Sequence, residues 1–278
     1  MTAVYGKRGF TLVEMLTGMV VLAFIGMAMT SLLTSQMRFY ARQGASGSAR
    51  TVSRVAINRL TSDIRMVDAD SGVVSAASNS IVIRVPYAIA VSCSRSILSV
   101  MPVDSTVYAP GPGGYAWRGS TSIYTYVESG VTVTTSTATT CADSSVTVLT
   151  SDGGRQVSIS PQLPNSATAK GTIVLLTRKV QYQFKASTLV PGAYGLYRQQ
   201  LSPAAAEEEI AAPFTSDSKF RFFVNNSSTA QDAVPNPLGS LRGFELILNG
   251  QSETTPTGEA GKRTENFTTA VFFKNRRT

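Results

Sequence analysis

Lys7-Arg8-Gly9-Phe10-Thr11-Leu12-Val13-Glu14-Met15-Leu16 joins a basic pair to an apolar run, with one acid lodged just inside the run. From Met15 to Met37 there are 23 residues without a single Lys, Arg, Asp or Glu. As a helix they extend roughly 35 Å at 1.5 Å per residue, enough to cross a hydrocarbon core of about 30 Å. The cations precede the run, so the positive-inside rule leaves the N-terminus in the cytoplasm and sends everything after the run outside. A secretory signal has a shorter apolar core followed by a small-residue cleavage site; this core is longer, and no clean A-x-A-like site follows it. Glu14 is the anomaly. An unpaired carboxylate costs about 2.5 to 3.5 kcal/mol at a bilayer centre, so a cationic partner is expected, and an amino terminus made by cutting after Gly9 would supply one.

These residues carry a family resemblance. Lys7-Arg8-Gly9-Phe10-Thr11-Leu12-Val13-Glu14 resembles the processing site of type IV prepilins and type II secretion pseudopilins. The resemblance implies that a prepilin peptidase removes residues 1–9 on the cytoplasmic side, between Gly9 and Phe10. It further implies that Phe10 is N-methylated and that Glu14 is the acid needed for subunit docking. Without Lys7 and Arg8 the charge balance is 23 against 17, or +6. The physical rationale runs beside it. A helix beginning at Phe10 has a positive end that its macrodipole reinforces, and methylation keeps the amine cationic. Packing such helices side by side sets one ammonium against another subunit's Glu14, which replaces two costly groups by one ion pair and fixes axial register.

The helical pattern weakens at Gly44 and Gly47, each costing about 1 kcal/mol against Ala. It resumes with Val52, Ala56, Leu60, Ile64 and Val67 on one stripe, and Arg50, Arg54, Asn58 and Asp63 largely off it. A helix from Phe10 to about Val67 is predicted, roughly 85 Å long, its first half in membrane or filament and its second half on a head. From about Ser71 the composition turns to Ser, Thr, Val and Ile runs bounded by Gly, Pro and Asn, which read as strands. They are expected near 80–86, 96–101, 122–127, 131–135, 145–150, 155–160, 171–186, 194–199, 219–224, 241–248 and 267–274. Residues 109–114 and 234–237 read as loops, and 204–209 as a short helix or exposed acidic turn. One helix followed by many strands gives an α+β fold class, with a long hydrophobic helix packed on a largely antiparallel β head. The expected organisation is a leader at 1–9, the helix at 10–67 with 10–37 in the membrane or filament core, and a head at 68–278.

The later strands add a second resemblance. Lys179 to Phe184 with Gly195-Leu196-Tyr197-Arg198, then Phe220 to Phe223, Leu241 to Leu246 and Phe267 to Asn275, are similar in order to PilW-type minor pilins and J-type pseudopilins. That likeness implies a minor pilin acting in pilus assembly, at the tip, with a J-type pseudopilin as the rival. Implied partners are other minor pilins, the major pilin, prepilin peptidase, the inner-membrane assembly platform, and membrane lipid before assembly. Implied localisation is the cytoplasmic membrane, single-pass with the head outside, and then the pilus.

Composition narrows the chemistry. The 278 residues hold no His, which excludes Ser-His-Asp, Cys-His and His-liganded metal sites within this chain. No catalytic residue, metal or cofactor is expected. Ser216-Asp217-Ser218-Lys219 fits S-x-x-K, but S-D-N and K-T-G companions are absent, so chance in a Ser-rich chain is the preferred reading. Glu207 to Glu209 lack a calcium loop's alternation and read as a solvated turn. Lys262, Arg263, Lys274, Arg276 and Arg277 could contact DNA phosphates in a membrane-anchored binding module, although ordinary solvated charge accounts for them. Trp117 with Tyr108, Tyr115, Tyr124 and Tyr126 could form an adhesive surface; packing is the preferred role. Cys93 and Cys141 are the only cysteines and are expected outside the cytoplasm, where disulfides persist. A bridge would close 49 residues, 93 to 141, worth on the order of 4 kcal/mol in the chain-entropy account. Alkylation of the native chain without reductant should therefore add no mass; two alkyl groups would refute the bridge.

Overall fold

A computed structural model describes residues 11–68, 71–100, 111–118, 124–128, 132–135, 155–165, 172–202 and 204–273. Helix α1 runs unbroken over Leu12–Arg65, 54 residues and about 80 Å. It passes through Gly18, Gly26, Gly44 and Gly47 without interruption, so the expected weakening at Gly44 and Gly47 does not break it. Hydroxyls bridge two of these places: Thr30 donates to the Gly26 carbonyl at 2.7 Å and Thr51 to the Gly47 carbonyl at 3.0 Å.

Among the described residues the strands are β1 (Val73–Ala77), β2 (Ser80–Ser92), β3 (Ile97–Val100), β4 (Gly111–Pro112), β5 (Gly114–Arg118), β6 (Tyr124–Val127) and β7 (Thr132–Thr135). They continue as β8 (Arg155–Ser160), β9 (Ile173–Ala186), β10 (Tyr194–Ser202), β11 (Glu208–Phe214), β12 (Lys219–Val224), β13 (Leu241–Gln251) and β14 (Thr264–Phe272). The fold class is α+β as expected: one apolar helix and a connected antiparallel sheet. The sheet is organised by the long β2–β9 ribbon, in register from Ser80↔Gln183 to Val91↔Ile173. β1 and β3 share the outer edge of β2, while β10 and β5 share that of β9.

The ribbon carries two cores end to end. On β2 the buried apolar residues are Ile81, Ile83 and Val85 in one half, then Ala88 and Ala90 in the other. Parity switches because a bulge between Pro86 and Ala88 inserts one residue, which keeps the apolar set on the same face. On β9, without a bulge, Val174, Leu176, Val180, Tyr182 and Phe184 keep one parity. The bulge also lets the strand continue past Pro86, where the strand expected at 80–86 ended. The first core joins α1 to β2 and β9–β14 around Phe184, Phe214, Phe220, Phe222, Phe244 and Phe273. Its rings meet near edge-on, as for Phe184 with Phe214 at 5.7 Å and Phe244 with Phe273 at 5.6 Å. The second core gathers Leu98, Tyr115, Trp117, Val157, Ile159 and Leu163. Glu128 ties the halves together, accepting from Arg84 Nε at 2.6 Å and pairing with Lys179 at 2.7 Å.

Helix α1 lies on β11, β13 and β14 through Ala49, Ser53, Ala56, Leu60, Ile64 and the following Val67. The buried stripe is rotated slightly from the expected one, because the contact is made by small residues over Gly250. A Cβ at Gly250 would lie 2.2 Å from the Ala49 carbonyl oxygen, so the backbones meet there only with glycine. Asp63, expected off the stripe, is buried. Tyr182 Oη donates to its Oδ2 at 2.5 Å, and Arg198 Nε and Nη2 donate to the same oxygen at 3.4 Å each. Burial and the neighbouring carboxylate push the Tyr182 phenol well above its usual range.

Other expectations change as well. Of residues 204–209, expected as a short helix or exposed acidic turn, Ala204 to Glu207 are exposed and Glu208 and Glu209 instead open β11, because Ile210, Ala211 and Phe214 face the first core. Gly111, Pro112 and Gly114, expected in a loop, belong to β4 and β5. The strand expected at 145–150 lies outside the described residues.

Replacing Asp63 by Ala strands Tyr182 and Arg198 and should cost about 3 kcal/mol, read as a lowered thermal midpoint of the detergent-solubilised chain. Arg54→Ala, on the exposed face, should leave it within about 0.5 kcal/mol. Burial raises the Glu128 carboxyl, but its bonds to Arg84 and Lys179 more than offset this and hold it below its ordinary 4.5. The native pKa is therefore the lower one: the stabilisation is complete above the ordinary value and is lost as pH falls through the native value. Between about pH 6 and pH 3 the midpoint should fall less in Glu128→Gln than in the unsubstituted chain.

Candidate functional site

The N-terminal half of α1 leaves the head entirely. Leu12, Val13, Met19, Leu22, Phe24, Met27 and Met37 are each about two-thirds exposed or more, and burial against the sheet begins only past Ala41. By length and composition this helix can cross a membrane. A continuous apolar cylinder of this size needs lipid or sister helices around it.

Its first turn is closed by a capping box. Thr11, with φ −80° and ψ 151°, is the N-cap. Glu14 N–H donates to Thr11 Oγ1 at 3.2 Å, and Glu14 Oε2 accepts from Thr11 N–H at 2.9 Å and from Thr11 Oγ1 at 3.0 Å. The carboxylate is thereby turned back toward the positive end of its own helix, next to where Phe10 joins. The signal was present as T-x-x-E at Thr11 to Glu14, and reading Glu14 only as an intermolecular partner missed it. Gly9 and Phe10 lie outside the described residues.

Residues 5–30 match the family model for the prokaryotic N-terminal methylation motif. That match supports the likeness of this segment to the type IV prepilin and pseudopilin superfamily. That segment spans Gly9, Phe10 and Glu14 and α1 as far as Thr30. The superfamily is a structural one, and its motif implies processing by prepilin peptidase and assembly with other pilins. No curated protein and no solved structure matches the chain.

The remaining candidates fall into packing roles. Ser218 is buried in the turn before β12; its hydroxyl accepts Asn249 N–H at 3.0 Å, while Lys219 pairs with Asp232 at 2.6 Å. Glu209 does not sit in a solvated turn. It accepts from Tyr197 Oη at 2.8 Å and from Thr188 N–H and Oγ1 at 3.0 and 2.7 Å, pinning the β9–β10 connection. Burial raises its carboxyl, and the bonds from Ser187, Thr188 and Tyr197 outweigh that and hold it below the usual carboxylate range. Tyr115 and Trp117 are buried in the second core, and Tyr126 lies under Arg84 at 4.8 Å. Tyr108, Lys274, Arg276 and Arg277 lie outside the described residues. Arg263 is held by Glu259 at 2.6 Å. Cys93 is buried in the turn after β2, its N–H on the Ile97 carbonyl at 2.9 Å. Cys141 lies outside the described residues, and among those described there is no free cysteine.

Thr11→Val removes the cap oxygen and should weaken the first turn by about 1 kcal/mol. Amide exchange at Glu14 and Met15 in micelles should accelerate about fivefold; unchanged exchange would mean that the box does not hold the turn.

Proposed function

We propose that this pilin-like chain is a minor pilin of a type IV pilus, a structural subunit that acts in assembly and priming at the tip. One observation carries the reading: the matched methylation motif opens a helix whose first half is bare and whose second half is locked to a folded head. In this reading residues 1–9 are a leader, 10–67 the helix and 68–278 the head. Prepilin peptidase cuts between Gly9 and Phe10, and Phe10 is then N-methylated. Lys7 and Arg8 hold the N-terminus in the cytoplasm until that cut, so the head stands outside.

Before assembly α1 sits in lipid, and the capping box keeps Glu14 supplied with donors from its own backbone. During assembly the apolar halves of neighbouring helices replace lipid. Glu14, already aimed toward the N-terminal end of its helix, meets the methylated ammonium of a sister subunit in a dry environment. The pair selects one axial stagger, because a helix displaced by a turn leaves both charges unmet. The partners are the other minor pilins, the major pilin and the assembly platform. Cys93 pairs with Cys141 in the exported head. We assign the chain no catalysis of its own.

Glu14→Ala at equal protein level should cut incorporation into filaments by about a hundredfold, the equivalent of about 3 kcal/mol of docking, while leaving the head folded. Unchanged incorporation would overturn the role of Glu14. Deleting the chain should abolish pilus fibres if it acts in the pilus; loss of exoprotein secretion with fibres intact would assign it to a pseudopilus instead.

A further inference from the structure

The head meets α1 directly after the apolar run ends. Gly258, with φ +82° in the left-handed region, is so close to the helix that a Cβ there would lie 3.2 Å from Arg38 Nε. One turn further on, Arg42 Nε pairs with Glu259 Oε1 at 2.6 Å, and Arg263 Nη2 reaches the same oxygen at 2.6 Å. Between them, Ala41, Gly44, Ala45 and Ser48 face Ser252 to Thr257 across a cleft of about 360 Å³. The β13–β14 connection is thus fixed along the first turns of α1 beyond Met37.

That placement sets its depth. A helix spanning the hydrocarbon with Met15 to Met37 puts Arg38 at the surface of the core, where the headgroup layer adds about 5 to 8 Å on each side. Phe39 and Tyr40, 55% and 70% exposed, occupy the position where aromatic side chains settle between hydrocarbon and water. Charge follows the same geometry. Glu259 is neutralised by Arg42 and Arg263, whereas Arg38 and Lys262 have no ion-pair partner among the described residues. Against these two cations the connection presents one exposed acid, Glu253.

We propose that residues 252–263 form a foot on the head, which rests on the anionic phosphate layer of the bilayer that α1 spans, with Arg38 and Lys262 as its phosphate contacts. The proposal rests on the membrane-anchored reading above. The foot holds the head at a fixed height and rotation over the membrane, so that every subunit awaiting assembly presents the same face, and it is released when the helix is drawn out. Duplex DNA offers the same phosphate chemistry, but Arg38 directly follows the apolar run and Lys262 belongs to the connection fixed beside it, where the bilayer is the phosphate surface at hand.

The test uses the full processed chain in phosphatidylcholine vesicles with or without phosphatidylglycerol, and reads tryptophan quenching with buried Trp117 as constant background. Phe24→Trp, quenched by acyl-brominated lipid, reports insertion. Thr257→Trp reports the foot through a headgroup-spin-labelled lipid, and Ser62→Trp, about 36 Å up the helix, reports the far end of α1. The expected result is quenching at 257 and not at 62, stronger with phosphatidylglycerol and weakened by salt. The docked-to-undocked ratio should fall about fivefold for each of Arg38→Gln and Lys262→Gln. Quenching at 24 without quenching at 257, or quenching at 257 indifferent to lipid charge and to both substitutions, overturns the foot and leaves the anchor standing. Absence of quenching at 24 overturns both. Binding of duplex DNA that depends on Arg38 and Lys262, with lipid charge without effect, overturns the foot in favour of a nucleic acid surface.

Discussion

Everything in this molecule follows from the fact that α1 is one rigid rod with two incompatible surroundings. Its first half exposes mostly apolar side chains and one charged group, Glu14, and fully burying each large apolar group is worth about 1.5 to 3 kcal/mol. Its second half is committed to the sheet through Ala49, Ala56, Leu60 and Ile64. Because the helix is continuous, whatever position the apolar half adopts among its neighbours is transmitted to the head without slack. The locks at Gly250 and Asp63 matter for that reason: in the docking proposed above, they would convert a register chosen by Glu14 into a register of heads.

The head that receives that register is itself cross-linked. The β2–β9 ribbon carries both cores on one face, and the bulge at Pro86 preserves the face across a change of parity. Glu128 cross-links the two halves with two cations, one from each strand of the ribbon. Arg42, Arg50 and Arg198 tie helix and sheet together at intervals through Glu259, Glu265 and Asp63. Arg42 and Arg50 are about half exposed and contribute modestly as pairs, while Asp63 is buried and its loss leaves two partners unmet.

Much of this was legible in the residues, for physical reasons that differ by element. The helix was readable because an uncharged run of 23 residues followed by a 3.6-residue stripe has no good alternative conformation. Strands such as β9, β12 and β13 were readable from their alternation. Strand β11 was hidden because its acidic start masks an inward-facing Ile210, Ala211 and Phe214, and β5 because glycines and prolines around it mimic a loop. Asp63 was misplaced because a charged residue at a stripe edge is ordinarily solvated, and its partners Tyr182 and Arg198 lie more than a hundred positions away. In the site itself, Glu14 stands out by the cost of a carboxylate in an apolar run. Its bond to Thr11 was equally present as T-x-x-E but was overshadowed by the search for a partner in another chain.

The central claim is that proteolysis after Gly9 creates the cation that Glu14 is waiting for. Mass spectrometry of the N-terminal peptide from chain recovered out of membranes and filaments tests it most directly. The account predicts a peptide that begins at Phe10 and carries one added methyl group on its amine. A working chain that begins at Met1, with residues 1–9 intact, would contradict it.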